Sequence, residues 1–564
     1  MNHHLTLRKK VIIMLSVMAS LFLVALDQTI IATALGKIVE DFQAFSALSW
    51  VVTAYLITTT ITVPIAGKLS DLFGRRKILL IGVAIFVLGS LLSGVSGSIE
   101  QLIMWRALQG IGGGIITANA FTIVGDLFAA RERGKWQGII GAVFGIASVV
   151  GPLLGGFLTD GHSFFGLLTT DWRWTFWINV PIGIVAFIVI AIFCPALKHS
   201  NKPRIDYLGA GLLTVFLSTL ILAIDNTEQI FGGLLDATGL SIVGLRVIMF
   251  SVVALSLAAL IYVEKKASEP IIQLNFFKNR NFLIIMIIAL LHGAAFLGSI
   301  LYLTQFNQQV FGASPTESGL MLLPMIAGLM VASITAGQLV SRLGTYKRLI
   351  VGGFILMTIS IAMLTTLTPD SSYLYEAIIM VFVGLGIGVA LPVMNIAVQN
   401  EFAQKDLGAA TSSSQLFRSL GSTIGTAVFG SLLTLGVASS LGDMKNDAYI
   451  QTIQQSPAAS QILPRTDDAN SLLNINTPTL KNQITTGFNS AIIDLPAPAQ
   501  KTAQATFVAD QAIFSTKIVD AFSSSIRTIF IVASSVVAVA TIFAFALREK
   551  PLAAAKSTDT PGEI

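Results

Sequence analysis

Stretches of about 20 almost wholly apolar residues recur along the chain, each long enough to cross the ~30 Å hydrocarbon core of a bilayer as a helix. No water is present in that core to satisfy exposed backbone groups, so such a chain is confined to hydrogen-bonded helices packed side by side. Hydropathy and helix breakers put the spans near 11–35, 48–66, 78–97, 101–127, 136–158, 175–195, 207–224 and 246–263, then 281–306, 317–340, 348–367, 373–398, 408–434 and 526–547. Composition agrees: 54% of the 564 residues are hydrophobic and 12% charged, where a soluble domain carries roughly 25% charged residues. The expectation is an all-α integral membrane protein with fourteen transmembrane helices.

The first run continues well past the 7–15 residues of a signal-peptide core, so it reads as an uncleaved span. The lone cysteine, Cys194, can form neither an internal disulfide nor a multi-thiolate metal site. Basic residues gather on alternate connections: Arg8–Lys10; Lys68 with Arg75–Lys77; Arg131, Arg133 and Lys135; Lys198, Lys202 and Arg204; and so on to Arg548, Lys550 and Lys556. These alternate connections hold 24 of the 35 Lys and Arg, whereas the short opposite loops hold Lys37 and Arg173, which predicts that both termini are cytoplasmic.

"GKLSDLFGRRKILL" after span 2 and "GQLVSRLGTYKRLI" after span 10 share G-x-L-x4-G with basic residues following, the mark of an internal repeat. Two related six-helix halves are expected, 1–200 and 271–564, with two inserted helices in 201–270. Residues 435–525 form a long external connection rich in Gln, Asn, Ser, Thr and Ala. Partial helix is expected near "FVADQAIFSTKIVDAFSSSIR" and mobility elsewhere, with an external partner or membrane-surface role as the alternative to a solvated excursion.

Ionisable residues at membrane depth are costly and usually face a cavity or each other. Asp27 stands about 16 residues into span 1, roughly 24 Å up the core, and Arg106 about 8 Å into span 4 from the other end. Both fall in the outer third of the membrane, where they can meet. The alternatives are an acid snorkelling to the interface and an arginine anchored to headgroups. Asp27 is the one carboxylate placed well inside a span, apart from acids near predicted ends such as Asp126, Asp225, Glu264 and Glu376.

An apolar setting favours the protonated acid and a nearby guanidinium favours the carboxylate, so a change in their separation would bind and release a proton. His292, Gln305, Asn307, Asn395 and Gln399 are candidate hydrogen-bonding groups for a substrate cavity or for interhelical contacts. Tyr55 and the tryptophans Trp50, Trp172, Trp174 and Trp177 read as an aromatic belt or a cation-binding wall.

Span 5, "GIIGAVFGIASVVGPLLGGFL", carries small-xxx-small pairs and a proline, which allow close packing and a bend. Its Gly138, Ala147, Gly151, Pro152, Gly155 and Gly156 resemble the antiporter motif of the major facilitator superfamily, with Ala147 replacing a glycine. Gly67, Asp71, Gly74, Arg75 and Arg76 resemble the signature loop of that family. "LDQTIIATAL", "WVVTAYLI", "WRWTFWINVPIG" and "SSSQLFRSLGSTIG" resemble its fourteen-span drug:proton antiporter branch, in which Gly36 is commonly proline.

The resemblance implies a major facilitator fold, a proton-coupling pair at Asp27 and Arg106, and a conformational brace among residues matching Asp71, Arg75 and Asp126. In the second copy Ser341 and Thr345 replace Asp71 and Arg75, so the brace is expected to be asymmetric.

Glycine strings such as "GLGIGVA" and "GIGGG" lie inside spans and lack the Lys-Ser/Thr of a phosphate loop, so ATP is not expected as the energy source. No hydrolase or metalloprotease motif is present, which argues against an enzyme. The expectation is a plasma-membrane (inner-membrane) multidrug efflux antiporter powered by the proton motive force, without a cofactor or metal. Its expected partners are lipophilic small molecules or lipids, protons and membrane lipids, not nucleic acid. A lipid or glycolipid exporter of the same fold and a non-transporting membrane sensor or assembly protein are the rivals. With a single deep acid, neutral or singly charged substrates are expected to be handled better than dications.

Overall fold

The structure, a computed structural model, describes residues 6–42, 48–159, 163–164, 168–194, 205–224, 227–441, 444, 447–454, 472–473, 475–476 and 478–552. The basic residues Lys198, Lys202, Arg204 and Lys556, the acid Asp225 and residues 455–471 of the long connection lie outside that set.

The helices in chain order are α1 (Leu7–Phe42), α2 (Leu48–Phe73), α3 (Arg75–Gly94), α4 (Ile99–Leu127), α5 (Ala130–Thr159), the short α6 (Trp174–Trp177), α7 (Asn179–Phe193), α8 (Tyr207–Ile224), α9 (Thr227–Thr238) and α10 (Ile242–Glu264). They continue as α11 (Arg280–Gln309), α12 (Pro315–Met321), α13 (Leu323–Leu343), α14 (Lys347–Leu364), α15 (Tyr373–Glu401), α16 (Leu407–Leu441), α17 (Ala448–Gln454), α18 (Pro478–Ala491) and α19 (Ala497–Phe545). Among the described residues, fourteen helical segments are long and apolar enough to cross a membrane, α6 and α7 together making one of them. A two-residue ladder, Ser163–Phe164 with Leu168–Thr169, is the one sheet among the described residues. Helix α1 runs unbroken through position 36, so the glycine there leaves the helix continuous.

Local sequence sets many of the ends. Ser98 caps α4 by accepting from Gln101 N, Ser241 caps α10 through Gly244 N, and Ser314 and Glu317 form a reciprocal capping box at α12. At Gly74 the backbone turns between α2 and α3 with φ of 94°, a region that side chains other than glycine enter only under strain.

The repeat seen in the loops extends through the packing. Gly110 and Gly114 of α4 press against the backbone carbonyls of Tyr55 and Thr59 on α2, as Gly384 and Gly388 of α15 press against those of Met325 and Leu329 on α13. In the same register Gly112 lies against Phe86 of α3, and Gly386 against Met357 of α14.

The halves meet through α5 on α13 and α2 on α16, chiefly at the end that carries the α2–α3 and α4–α5 connections. There Ser333 Oγ donates to Gly138 O at 2.9 Å, Lys135 N to Ser341 Oγ at 3.2 Å, and Gln399 Nε2 to Phe121 O at 3.0 Å. Toward the opposite end α5 touches the short α12 where Gly319 approaches Pro152. The inserted α8 and α10 pack beside this seam, with Leu213, Leu217, Ile221 and Leu260 clustered against Ile57, Ile61 and Leu416. Lys68 of α2 also meets Glu269 beyond α10 at 2.6 Å.

The long connection is helical over 507–527 as expected, and its helix extends well beyond that segment. Helix α19 begins at Ala497, about thirty residues before the predicted span, and at 1.5 Å per residue its 49 residues measure about 74 Å. Helix α16 likewise reaches Leu441. The outer parts are tied down by their own apolar groups: Tyr449, Ile484, Phe507 and Phe514 are buried, the Phe488 and Phe507 rings stack at 4.0 Å, and Gln511 donates to Tyr449 Oη at 2.8 Å. The polar composition concealed this because the apolar residues there come singly or in short pairs, such as Phe507–Val508, and find partners on another helix.

Candidate functional site

Asp27 and Arg106 face each other across α1 and α4. Arg106 Nη1 lies 2.5 Å from Asp27 Oδ2, and both residues are buried. An isolated charge at that depth is expensive, so the pair is closed by further polar groups. Gln109, one helical turn beyond Arg106, accepts from Arg106 Nη1 at 2.8 Å and donates to Asp27 Oδ1 at 2.8 Å. Ser90 of α3 accepts from Gln109 at 3.2 Å and from Asn179 of α7 at 3.0 Å, and itself donates to Phe176 O. Asn179 also reaches Asp27 Oδ1 at 3.4 Å. Tyr55 lies under the guanidinium, its ring centre 4.3 Å from Arg106 Cζ, with Phe176 at 5.7 Å.

The sequence pointed to Asp27, Arg106 and Tyr55 but not to Ser90, Gln109 and Asn179. The i, i+3 spacing of Gln109 from Arg106 was a usable signal, and Asn179 lies inside the "WRWTFWINVPIG" segment; nothing in the local sequence of Ser90 distinguishes it.

Around Gly74, Arg75 pairs with Asp71 and with Asp126, the latter through Nε at 2.8 Å, and also donates to Ser70 Oγ. Asp71 completes the contact between the halves. Its carboxylate accepts from Gly408 N at 3.1 Å and Ala409 N at 2.8 Å, the free amides at the start of α16, where the helix dipole also favours an anion. Gln404 of the second half donates to Asp126 at 3.5 Å. Arg76 turns away from this cluster and donates to Ala191 O on α7. Gly67 lies against Ser412 and the Gly408 carbonyl. In the second copy Ser341 meets α5 through a backbone amide and carries no charge into the seam.

The motif of α5 serves two neighbours. Gly138 lies against the Ser333 carbonyl of α13, while Gly151 and Gly155 lie against Thr29, Ile30 and Thr33 of α1. Ala147, fully buried, accepts from Thr29 Oγ1 at 3.0 Å. Pro152 and Gly156 are half-buried, the latter accepting from Thr159. Helix α5 therefore backs the Asp27-bearing helix on one face and the second half on another.

The second-half candidates do not assemble at one point. Gln399 bonds to α4 and Thr411, at the closed end. Gln305 is half-buried. Asn307, with its amide nitrogen turned inward, donates to both carboxylate oxygens of Glu376 at 2.9 Å. Glu376 stands in the first turn of α15, near the helix end where the sequence put it, and is 0% exposed, so an acid at a span end is as fully enclosed as Asp27. Asn395 accepts from Gln415, which in turn accepts from Arg418, and buried His292 stacks on Phe296 with ring centres 5.9 Å apart.

A family model described as Major Facilitator Superfamily matches residues 17–426. The chain is 36% identical over 492 residues to the multidrug transporter protein MdtP of Bacillus subtilis (strain 168), covering 86% of this chain and 87% of that one. It is 35% identical to multidrug resistance protein 3 of the same organism, covering 86% and 92%. Among solved structures, the proton:xylose symporter XylE bound to 6-bromo-6-deoxy-D-glucose is similar in fold, with a TM-score of 0.54, 16% identity and coverage of 86% and 95%.

Proposed function

This chain belongs to the major facilitator superfamily, and within it we propose that it is a proton-coupled antiporter of the plasma membrane that exports amphipathic and lipophilic compounds by alternating access. The multidrug transporters it resembles support the efflux reading. The observation that carries the coupling is the enclosed Asp27–Arg106 pair, a carboxylate held against a guanidinium inside a span.

The halves meet at the end bearing the basic connections, which we assign to the cytoplasm, and we assign this arrangement to the outward-facing state of the cycle. The Asp71 and Arg75 contacts hold that junction. In exchange, α1 and α4 shift, Asp27 loses its guanidinium partner and takes a proton, and return of Arg106 expels it. Each charge that crosses contributes about 2.3 kcal/mol per 100 mV, so the proton motive force suffices without a cofactor.

The test is transport by the full chain in proteoliposomes under an imposed pH gradient, using lipophilic cations, neutral drugs and labelled lipids. Gradient-driven movement of drugs that is lost in Asp27→Asn is expected. Movement of labelled lipid alone would transfer the assignment to lipid export, and no movement of any probe would favour a sensor.

A further inference from the structure

Two arginines buried in spans or at their ends, Arg75 and Arg106, are balanced by carboxylates. Arg75 has Asp71 and Asp126; Arg106 has Asp27. Arg418 of α16, which is half-buried, has no such partner: no ion pair among the described residues includes it. Its polar partner is Gln415 Oε1, one acceptor for a group with five donors. Gln415 is in turn oriented by Asn395, to which its Nε2 donates at 3.3 Å. Asn395 is 2% exposed, and its own Nδ2 has no acceptor among the described residues. One buried donor, Asn395 Nδ2, therefore remains unanswered beside a half-buried guanidinium whose one side-chain acceptor among the described residues is Gln415.

The location matters as much as the chemistry. Arg418 is eleven residues past the start of α16, which corresponds to about 17 Å of rise, the middle of a ~30 Å core. Substrate sites of transporters lie near that depth, at the interface of the repeats. Arg418 also retains partial exposure, whereas Asn395 and Gln415 behind it are buried. A guanidinium of this kind recognises planar or tetrahedral oxyanions through paired N–H donors.

We propose that Arg418, oriented by Gln415 and assisted by Asn395, forms an anion-binding subsite that receives the carboxylate or sulfonate head of an amphipathic monoanionic substrate. The proposal rests on the transport reading above and narrows its substrate class. An inside-negative potential favours outward movement of such a substrate.

The test measures equilibrium binding to the purified full chain, without a pH gradient, of dansylated undecanoic acid and its methyl ester, which share one apolar body. The wild type is expected to bind the acid about tenfold more tightly than the ester, equivalent to about 1.4 kcal/mol. Arg418→Gln should erase that preference by weakening the acid alone, and Arg418→Lys should keep part of it. Equal binding of acid and ester by the wild type, or equal weakening of both probes by Arg418→Gln, would overturn the subsite. If Arg418→Gln does not fold, the wild-type preference and Arg418→Lys decide. Gradient-driven export without an acid preference would defeat the subsite and leave the antiporter standing; the preference without export would do the reverse.

Discussion

Asp27 is held by a cation and Glu376 by an amide, and the two enclosed acids should respond oppositely to neutralisation. Asp27→Asn leaves Arg106 charged and enclosed without a counter-charge, which costs about 3–5 kcal/mol when a buried pair is broken. We expect a lower melting temperature together with complete loss of gradient-driven export. Adding Arg106→Gln should restore much of the melting temperature, since the charge is then gone, without restoring export. Uphill export by either variant under an imposed pH gradient would remove the coupling role of Asp27. Glu376→Gln replaces a carboxyl that has no cationic partner among the described residues by a neutral group of the same shape, so its melting temperature should be unchanged or higher. A loss as large as that of Asp27→Asn would reveal a counter-charge for Glu376 outside the described residues.

At the scale of elements, the seal between the halves depends on a carboxylate fitted to the start of a helix. Asp71→Asn removes the charge that α16 accepts at its first amides, and Gly74→Val forces a side chain into a positive-φ turn at a cost of about 1–3 kcal/mol. Both should reduce turnover more than substrate affinity, because neither residue lies near the Asp27 or Arg418 clusters. A Cβ at Gly408 would meet the carboxylate of Asp71 and the guanidinium of Arg75 directly. Gly408→Ala should therefore shift the population away from the sealed arrangement. Thiol labelling of a cysteine placed at Ser412 would report this as faster modification in Gly408→Ala than in the parent; the native Cys194 is buried and contributes little background. Unchanged labelling would show that the contact between Asp71 and α16 does not govern the seal.

For the whole molecule, the extension of α16 and α19 continues the hydrophobic cluster of the second half beyond the spans. Its apolar contacts, such as Phe488 on Phe507 and Tyr449 near Phe514 at 5.1 Å, are made within the extension. Deleting residues 445–515 and joining the helices directly should leave a chain that inserts, folds and exports drug probes, since changing loop length costs little closure entropy. Size-exclusion behaviour and transport of the deleted chain check this. Aggregation would show that the extension holds α16 and α19 together, whereas drug export with loss of lipid movement would favour the lipid reading.

The sequence by itself determined the elements that water and hydrocarbon select. Length and apolarity alone specify fourteen crossings, the loop motif and its copy reveal the repeat, and the residues of α5 and the Gly67–Arg76 loop identify the family. Asp27 and Arg106 were also legible, because a charge placed in a long apolar run requires a partner, and helical rise put both at one depth. What only the tertiary structure decided is which neutral groups surround those charges. Ser90, Gln109 and Asn179 come from three helices, and no local pattern marks a serine or an amide that will complete a carboxylate's hydrogen bonds. The same holds for the full enclosure of Glu376 by Asn307, and for Arg418, whose missing counter-charge becomes visible once every helix beside it is in place. Span number follows from the free energy of each segment in the bilayer, whereas pairing follows from distances between segments, which exist only after the helices have packed.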